Sequence, residues 1–227
     1  MADTTLGVRL SESTRVEAFS DAVMAIVITI LVLELRVPAH EPGQLLPALM
    51  TMWAPVVAFL ISFLRVSVIW LNHHGLFVHI RRVDRTVLWL NLGILLNCMI
   101  VPLPTAILAD ALRDGNPPDL RAAMVLYALL AALQSVVWVP VFRHLHAHRE
   151  LVEPGTDAAF FHTQPVRPWI AVGVDLAAAA MAMVSPVVAL VLWTLSVIYL
   201  GVTSDGVPTM SLVARRRSRS SKAEYTA

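Results

Sequence analysis

Between Ala22 and Leu33 the chain places a single polar side chain, Thr29, among apolar ones, while Arg15, Glu17, Ser20 and Asp21 crowd the residues just before. At ~100° per residue, Phe19, Val23, Ile26, Ile30, Leu33 and Val37 fall on one stripe, and Ser20 and Asp21 point well away from it. The pattern predicts a first helix from Arg15 to about Val37, closed by Pro38, Pro42 and Gly43. Thr14 and Glu17 fit a capping box at its start. Leu45 to Leu64 carries no charge and predicts a second helix that can run on through Arg65 and WLNHH toward Arg81. A third is expected from Val87 to Ala109, kinked or ended by Pro102 and Pro104, and a fourth from Ala122 to Phe142. The last apolar region, Trp169 to Leu200, is either one long helix or two short ones divided at Ser185 and Pro186.

Composition turns this helical pattern into a membrane assignment. The chain has 227 residues, 57% of them hydrophobic, and a mean hydropathy of +0.70, well above ordinary soluble domains. Uncharged runs of about 18 or more residues are long enough to cross a hydrocarbon core roughly 30 Å thick. The expected class is an all-α integral membrane protein, with its first apolar run retained because no small-residue cleavage site follows it. Cys98 is the only cysteine, so no intrachain disulfide is possible.

Charge then chooses the helix count and the orientation. With two short helices at the end and a cytoplasmic N-terminus, thirteen basic residues lie inside, three (Arg36, Arg113, Arg121) outside, and Arg65 lies within a span. One long last helix would put Arg215, Arg216, Arg217, Arg219 and Lys222 outside. Six spans are therefore expected, in a multi-pass protein of the cell membrane with both termini cytoplasmic. The domain reading is a tail over residues 1–14, a transmembrane unit over 15–203 and a basic, disordered tail over 204–227 drawn to anionic lipid rather than to nucleic acid.

Polar residues inside spans are costly and need partners. Arg65, His73 and Ser20 are candidates for Asp21. Asp21, His73, Asn91 and Asp175 all fall toward one half of the membrane, which predicts a single buried network. Trp70, Asn72, Asn97 and Gln134 are further intramembrane polar groups. Two jobs remain open for the first-helix stripe: a ring of apolar side chains around a pore, or ordinary packing against helices and lipid. Asp21 is either a structural carboxylate or an ion contact. A rival reading is a proton- or cation-coupled secondary transporter using Asp21, His73 and Asp175, and a third is haem ligation by His73. His144 and His148 share a helix face, but Arg143 and Arg149 would repel a metal ion, so no metal and no cofactor is expected. No Walker sequence, hydrolase elbow, Gly-rich dinucleotide loop or paired-Cys motif is present, and no enzymatic activity is expected.

The run RVEAFSDAVMAIVITILVLEL, with Arg15, Phe19, Ser20 and Asp21, resembles the RxxxFSD signature of the transmembrane protein 175 family, lysosomal potassium channels of animals and their single-repeat bacterial relatives. Met24 stands where a Phe is common. WLNHH and WLNLGILLN also look like family segments, so the resemblance covers the first half of the chain well. It implies a six-helix subunit, a homotetramer and a central pore lined by the first helix and permeable to potassium ions. The resemblance puts the apolar constriction at Ile26, Ile30 and Leu33, with Thr29 as a possible selectivity layer. Arg15, Phe19, Ser20 and Asp21 would join Trp70, His73 and Asn91 in a structural network. No TVGYG filter is present, so a carbonyl-cage filter is excluded and gating by dewetting is expected. Glu34 stands near the outer mouth as a possible attractor of cations or as a solvated helix end.

Overall fold

The computed structural model describes residues 11–156 and 164–203. A short strand β1 (Ser11–Glu12) leads directly into α1 (Ser13–Leu33), followed by α2 (Leu45–Met50), α3 (Trp53–Phe77), β2 (Arg82–Val83), α4 (Arg85–Met99) and α5 (Pro102–Asp114). Then come α6 (Pro117–Val136), α7 (Trp138–Ala147), a 3-10 turn at Arg149–Leu151, α8 (Val166–Val184) and α9 (Pro186–Val202). Among the described residues, five helical spans are long and apolar enough to cross a membrane, three of them jointed pairs (α2–α3, α4–α5, α6–α7), and α9 is a shorter apolar sixth. Its 17 residues reach roughly 25 Å at 1.5 Å per residue. This is an all-α membrane protein with six helical passes.

Each joint has a local cause. Pro102 opens α5 at a position where its missing N–H costs nothing, so the third pass breaks between Met99 and Pro102. The fourth pass breaks at Val137, just ahead of Pro140, whose ring disrupts the preceding turn. Ser185 ends α8 and caps α9, its hydroxyl accepting from the Val188 N–H at 3.4 Å, with Pro186 as the first helical residue. The last apolar region is thus two helices.

Several expected boundaries move. The second pass stops at Phe77, short of Arg81, because the Arg81 N–H is taken by Leu151 O at 2.9 Å and Ile80 bridges to Val152. The third runs past Ala109 to Asp114, where Gly115 at φ +66° provides the left-handed cap. The fourth starts at Pro117 and continues to Ala147. Thr14 is no N-cap, since α1 already begins at Ser13, and the Glu17 carboxylate instead accepts from His74 Nδ1 at 3.0 Å. Residues 1–10, the basic tail from 204 and the segment 157–163 lie outside the described residues.

Two cores hold the helices together. One joins α1, the second half of α3, α4 and α7 through residues such as Met24, Leu31, Phe77, Leu95 and Leu145. The other joins the first half of α3 to α5, α6, α8 and α9, and is rich in alanine: Ala54, Ala58, Ala128, Ala131, Ala178 and Ala182. Lipid offers no hydrophobic gradient between helices, so small side chains that let backbones approach closely supply the packing. β1 pairs antiparallel with β2, Ser11 opposite Val83 and Glu12 opposite Arg82, and so fastens the start of α1 to the turn between α3 and α4.

The alanine-rich core contains a buried ion pair. Arg65 Nη1 donates to Asp175 Oδ1 at 3.4 Å and Arg65 Nη2 to Ala131 O at 2.8 Å. Asp175 also accepts from Trp193 Nε1 at 2.8 Å and from Ser135 Oγ at 3.0 Å. Removing one partner leaves the other charge uncompensated. Asp175→Ala is therefore expected to cost about 3–5 kcal/mol and to lower the melting temperature of the detergent-solubilised protein steeply. Replacing Arg65 and Asp175 together by apolar residues of similar volume should recover much of that loss.

Candidate functional site

α1 is the least enclosed of the five long spans. It buries Val16, Ser20, Met24, Val27 and Leu31, spaced four, four, three and four residues apart, against α3 and α4. Ile26, Ile30 and Leu33 point away from the subunit, with 56%, 41% and 65% of their surface exposed. Phe19 and Thr29 are exposed beside them, and Val23 is half-buried. The Thr29 hydroxyl donates to Ile26 O at 2.8 Å, which leaves its oxygen lone pairs turned outward from the helix backbone. Ala18, Ala22 and Ala25 extend the exposed arc on the same flank as Thr29, so the uncovered face is wider than the apolar stripe.

The polar end of α1 is bound inward. Asn91 on α4 donates through Nδ2 to Ser20 Oγ at 2.9 Å, and Ser20 donates to Val16 O at 2.8 Å. The Asn91 carbonyl oxygen is then free to accept from His73 Nε2 at 2.8 Å, which fixes the imidazole as the Nε2–H tautomer. Ser20, His73 and Asn91 are all buried. The ring of His73 stacks on Phe77, with 4.4 Å between centroids, and meets the edge of Trp138. A second attachment lies half-exposed alongside: Trp70 Nε1 donates to Asp21 Oδ1 at 2.9 Å, and Trp70 stacks on His74, the partner of Glu17.

Ser20, Asp21, Trp70, His73 and Asn91 are thus gathered at one junction of α1, α3 and α4. Arg15 and Phe19 stand outside it: both are exposed, and Arg15 makes no hydrogen bond or ion pair with any described residue. The expected single network that included Asp175 divides into two, because α8 turns Asp175 toward Arg65 rather than toward His73. Asp21 bonds neither Arg65 nor His73; its partner is the indole of Trp70. Asn97 bonds back to Gly93 O at 2.9 Å, and Glu34 is half-buried past the end of α1.

The histidine-rich run joins a different contact. Asp84 caps α4, accepting from the Val87 N–H at 2.7 Å through one oxygen and from His144 Nε2 at 2.8 Å through the other. His148 stacks on His144 with 4.2 Å between centroids. No cluster of three or more metal-ligating side chains occurs among the described residues. Sequence reading missed this contact, although Asp84 three residues before Val87 at a helix start was the available signal.

A family model described as the endosomal/lysosomal potassium channel TMEM175 matches residues 15–102, the segment that contains α1, the α3 partners and Asn91. A potassium channel from Streptomyces collinus is 37% identical over 210 residues, covering 90% of this chain and 99% of the relative. The chain belongs to the TMEM175 family. A crystal structure of a lysosomal potassium-selective channel TMEM175 homolog from Chamaesiphon minutus superposes with a TM-score of 0.74 at 31% identity, covering 85% of this chain and 97% of that one. The endosomal/lysosomal proton channel TMEM175 of Rattus norvegicus is 31% identical over 153 residues, 62% of this chain but 30% of the rat protein. TMEM175 proteins are ion channels by name, and this member is not an enzyme.

Burial pushes the Asp84 carboxyl up, but its bonds from Val87 and His144, with His148 nearby, outweigh that and hold it below the ordinary carboxylate value. Its contribution to stability is therefore fully present above pH ~4 and is lost as pH falls through the lowered folded value. Asp84→Ala should lower stability by about 1–2 kcal/mol at pH 7. In thermal melts, the gap between the wild type and Asp84→Ala is expected to close as pH falls through the folded value.

Proposed function

We propose that the protein is a potassium-permeable cation channel of the cell membrane, assembled as a homotetramer around an axis lined by α1. The observation that carries this reading is the outward face of α1: Ile26, Ile30 and Leu33 are left uncovered by their own subunit, while Ser20 and Asp21 of the same helix are bonded inward. One copy contributes a single such helix, so a passage requires several copies arranged around an axis. The exposed Ala18, Ala22 and Ala25 suit close approach of a neighbouring α1. Relatives named as potassium channels supply the ion.

In this reading the stripe is a constriction that excludes a hydrated ion when narrow and wets when it widens. Thr29 forms a polar layer between Ile26 and Ile30, and both termini lie in the cytoplasm, as the distribution of basic residues favours. The Ser20–Asn91–His73 chain and the Asp21–Trp70 bond hold α1 in register with its own subunit. The coupled-transporter reading is the weaker one. It needs Asp21, His73 and Asp175 along one path, and the three are engaged in separate bonds with neutral or cationic partners.

Ile26→Asn is expected to raise potassium flux in reconstituted vesicles on the order of tenfold, equivalent to about 1.4 kcal/mol off the barrier; unchanged flux would remove Ile26 from the constriction. Asp21→Ala should reduce the tetrameric fraction on size exclusion while leaving the potassium-to-sodium ratio of the surviving channels unchanged. A stable tetramer with an altered ratio would place Asp21 in the ion path instead.

A further inference from the structure

Gln134 is an intramembrane amide that neither core uses. It sits near the end of α6, is 4% exposed, and neither its Oε1 nor its Nε2 has a hydrogen-bond partner among the described residues. An amide that gives up both water and protein partners is strongly disfavoured inside a bilayer. The two amide atoms of Gln134 are enclosed by protein, yet the residue borders empty space. It lines a cavity of about 100 Å³ together with Arg65 and Ser135. A smaller cavity of about 20 Å³ lies against Arg65 and Gln134 as well.

The larger cavity has polar groups at both ends. Its inner end is the Arg65 guanidinium, which donates to Asp175 and Ala131 and so engages two of its five N–H groups in those bonds. Its other end is bordered by Asn72, in the last turns of α3, and by Gln164 and Arg167 at the start of α8. These residues stand at the same end of the bundle as the loop carrying Arg81 and Arg82. Apolar side chains such as Val68 and Leu200 form the walls between the two ends. A water molecule needs roughly 10–15 Å³ of such space and two to four polar partners, so the volume accommodates several.

We propose that this cavity is a hydrated crevice inside each subunit, opening at the end marked by Asn72 and Arg167 and reaching Arg65 at mid-membrane. The molecules it takes are water and solutes of similar size that both donate and accept hydrogen bonds. A change of the Gln134 side-chain rotamer turns its amide toward this water, which then accepts from Nε2 and from Arg65 and donates to Oε1. The crevice lies between α3, α6 and α8, on the opposite side of α3 from its contacts with α1, and is therefore separate from any passage between subunits. It brings solvent to one side of the Arg65–Asp175 pair, so the dry barrier within a subunit spans only the remaining part of the membrane.

The test uses the full chain in lipid vesicles with Gln134→Cys or Leu192→Cys; Leu192 is an exposed apolar residue of α9. The native Cys98 is fully buried and serves as an internal reference. The probe is hydrogen peroxide, which is close to water in size, donates and accepts hydrogen bonds and labels thiolates by oxidising them to sulfenic acid, with the oxidised sites located by peptide mass. Gln134→Cys should be modified at least about tenfold faster than Leu192→Cys; an equal or slower rate overturns the proposal. A second measurement stands apart from labelling. Gln134→Leu should lower the melting temperature by about 2–4 °C, because an apolar side chain then faces bound water. An unchanged or raised melting temperature means a dry cavity and equally overturns it. Neither readout depends on ion conduction, so the outcome is independent of the channel reading.

Discussion

Asn91 uses both ends of its amide at once, donating to Ser20 and accepting from His73, and this pair of bonds ties α1 to α3 and α4. In a bilayer such groups have no water to fall back on, so the bonds fix which side of α1 turns inward. Once Ser20 faces Asn91, helical geometry carries Met24, Val27 and Leu31 into the core behind it and leaves Ile26, Ile30 and Leu33 outside. A polar contact near one end thus sets the orientation of an apolar surface several turns away.

The rest of the subunit follows a different packing logic. α6 and α8 approach through alanines, and the charged pair between α3 and α8 is enclosed by an indole, a serine hydroxyl and a backbone carbonyl. A hydroxyl chain closes the same region: Tyr127 donates to Ser62, Ser62 to Thr105 and Thr105 to Val101 O. These satisfied polar groups specify how α3, α5, α6, α8 and α9 fit together where apolar contacts alone would allow sliding. The subunit therefore has two attachment systems, one seating α1 and one locking the outer bundle, with α3 belonging to both.

Much of this was legible in the chain. The apolar runs gave the passes, Pro102 and the Ser185–Pro186 pair marked real breaks, and the stripe on α1 is the face the subunit leaves uncovered. Ser20 and Asp21 of the FSD run and the WLNHH run pointed to residues that do meet, because neighbouring passes bring Ser20, His73 and Asn91 to similar depth, whereas Arg15 and Phe19 of the same signature stand apart. What was hidden depended on rotation. Asp175 lies 110 residues from Arg65, and only the facing of α8 decides that it meets Arg65 rather than His73. The end of α3 was hidden for a similar reason, since the Arg81 amide is claimed by Leu151, a long-range bond that no local pattern encodes.

The pairing of β1 with β2 gives α1 a fixed base. Between that pairing and Asp21 the helix is fastened at four places, whereas beyond Asp21 it is held by apolar contact alone. Such a helix behaves as a cantilever: it tilts about its fastened end more readily than it slides or turns. At 1.5 Å per residue, Ile26 stands roughly 8 Å and Leu33 roughly 18 Å beyond Asp21. Any tilt therefore displaces Leu33 more than twice as far as Ile26, so one small pivot moves Ile26, Ile30 and Leu33 by graded amounts, the least of the three at Ile26.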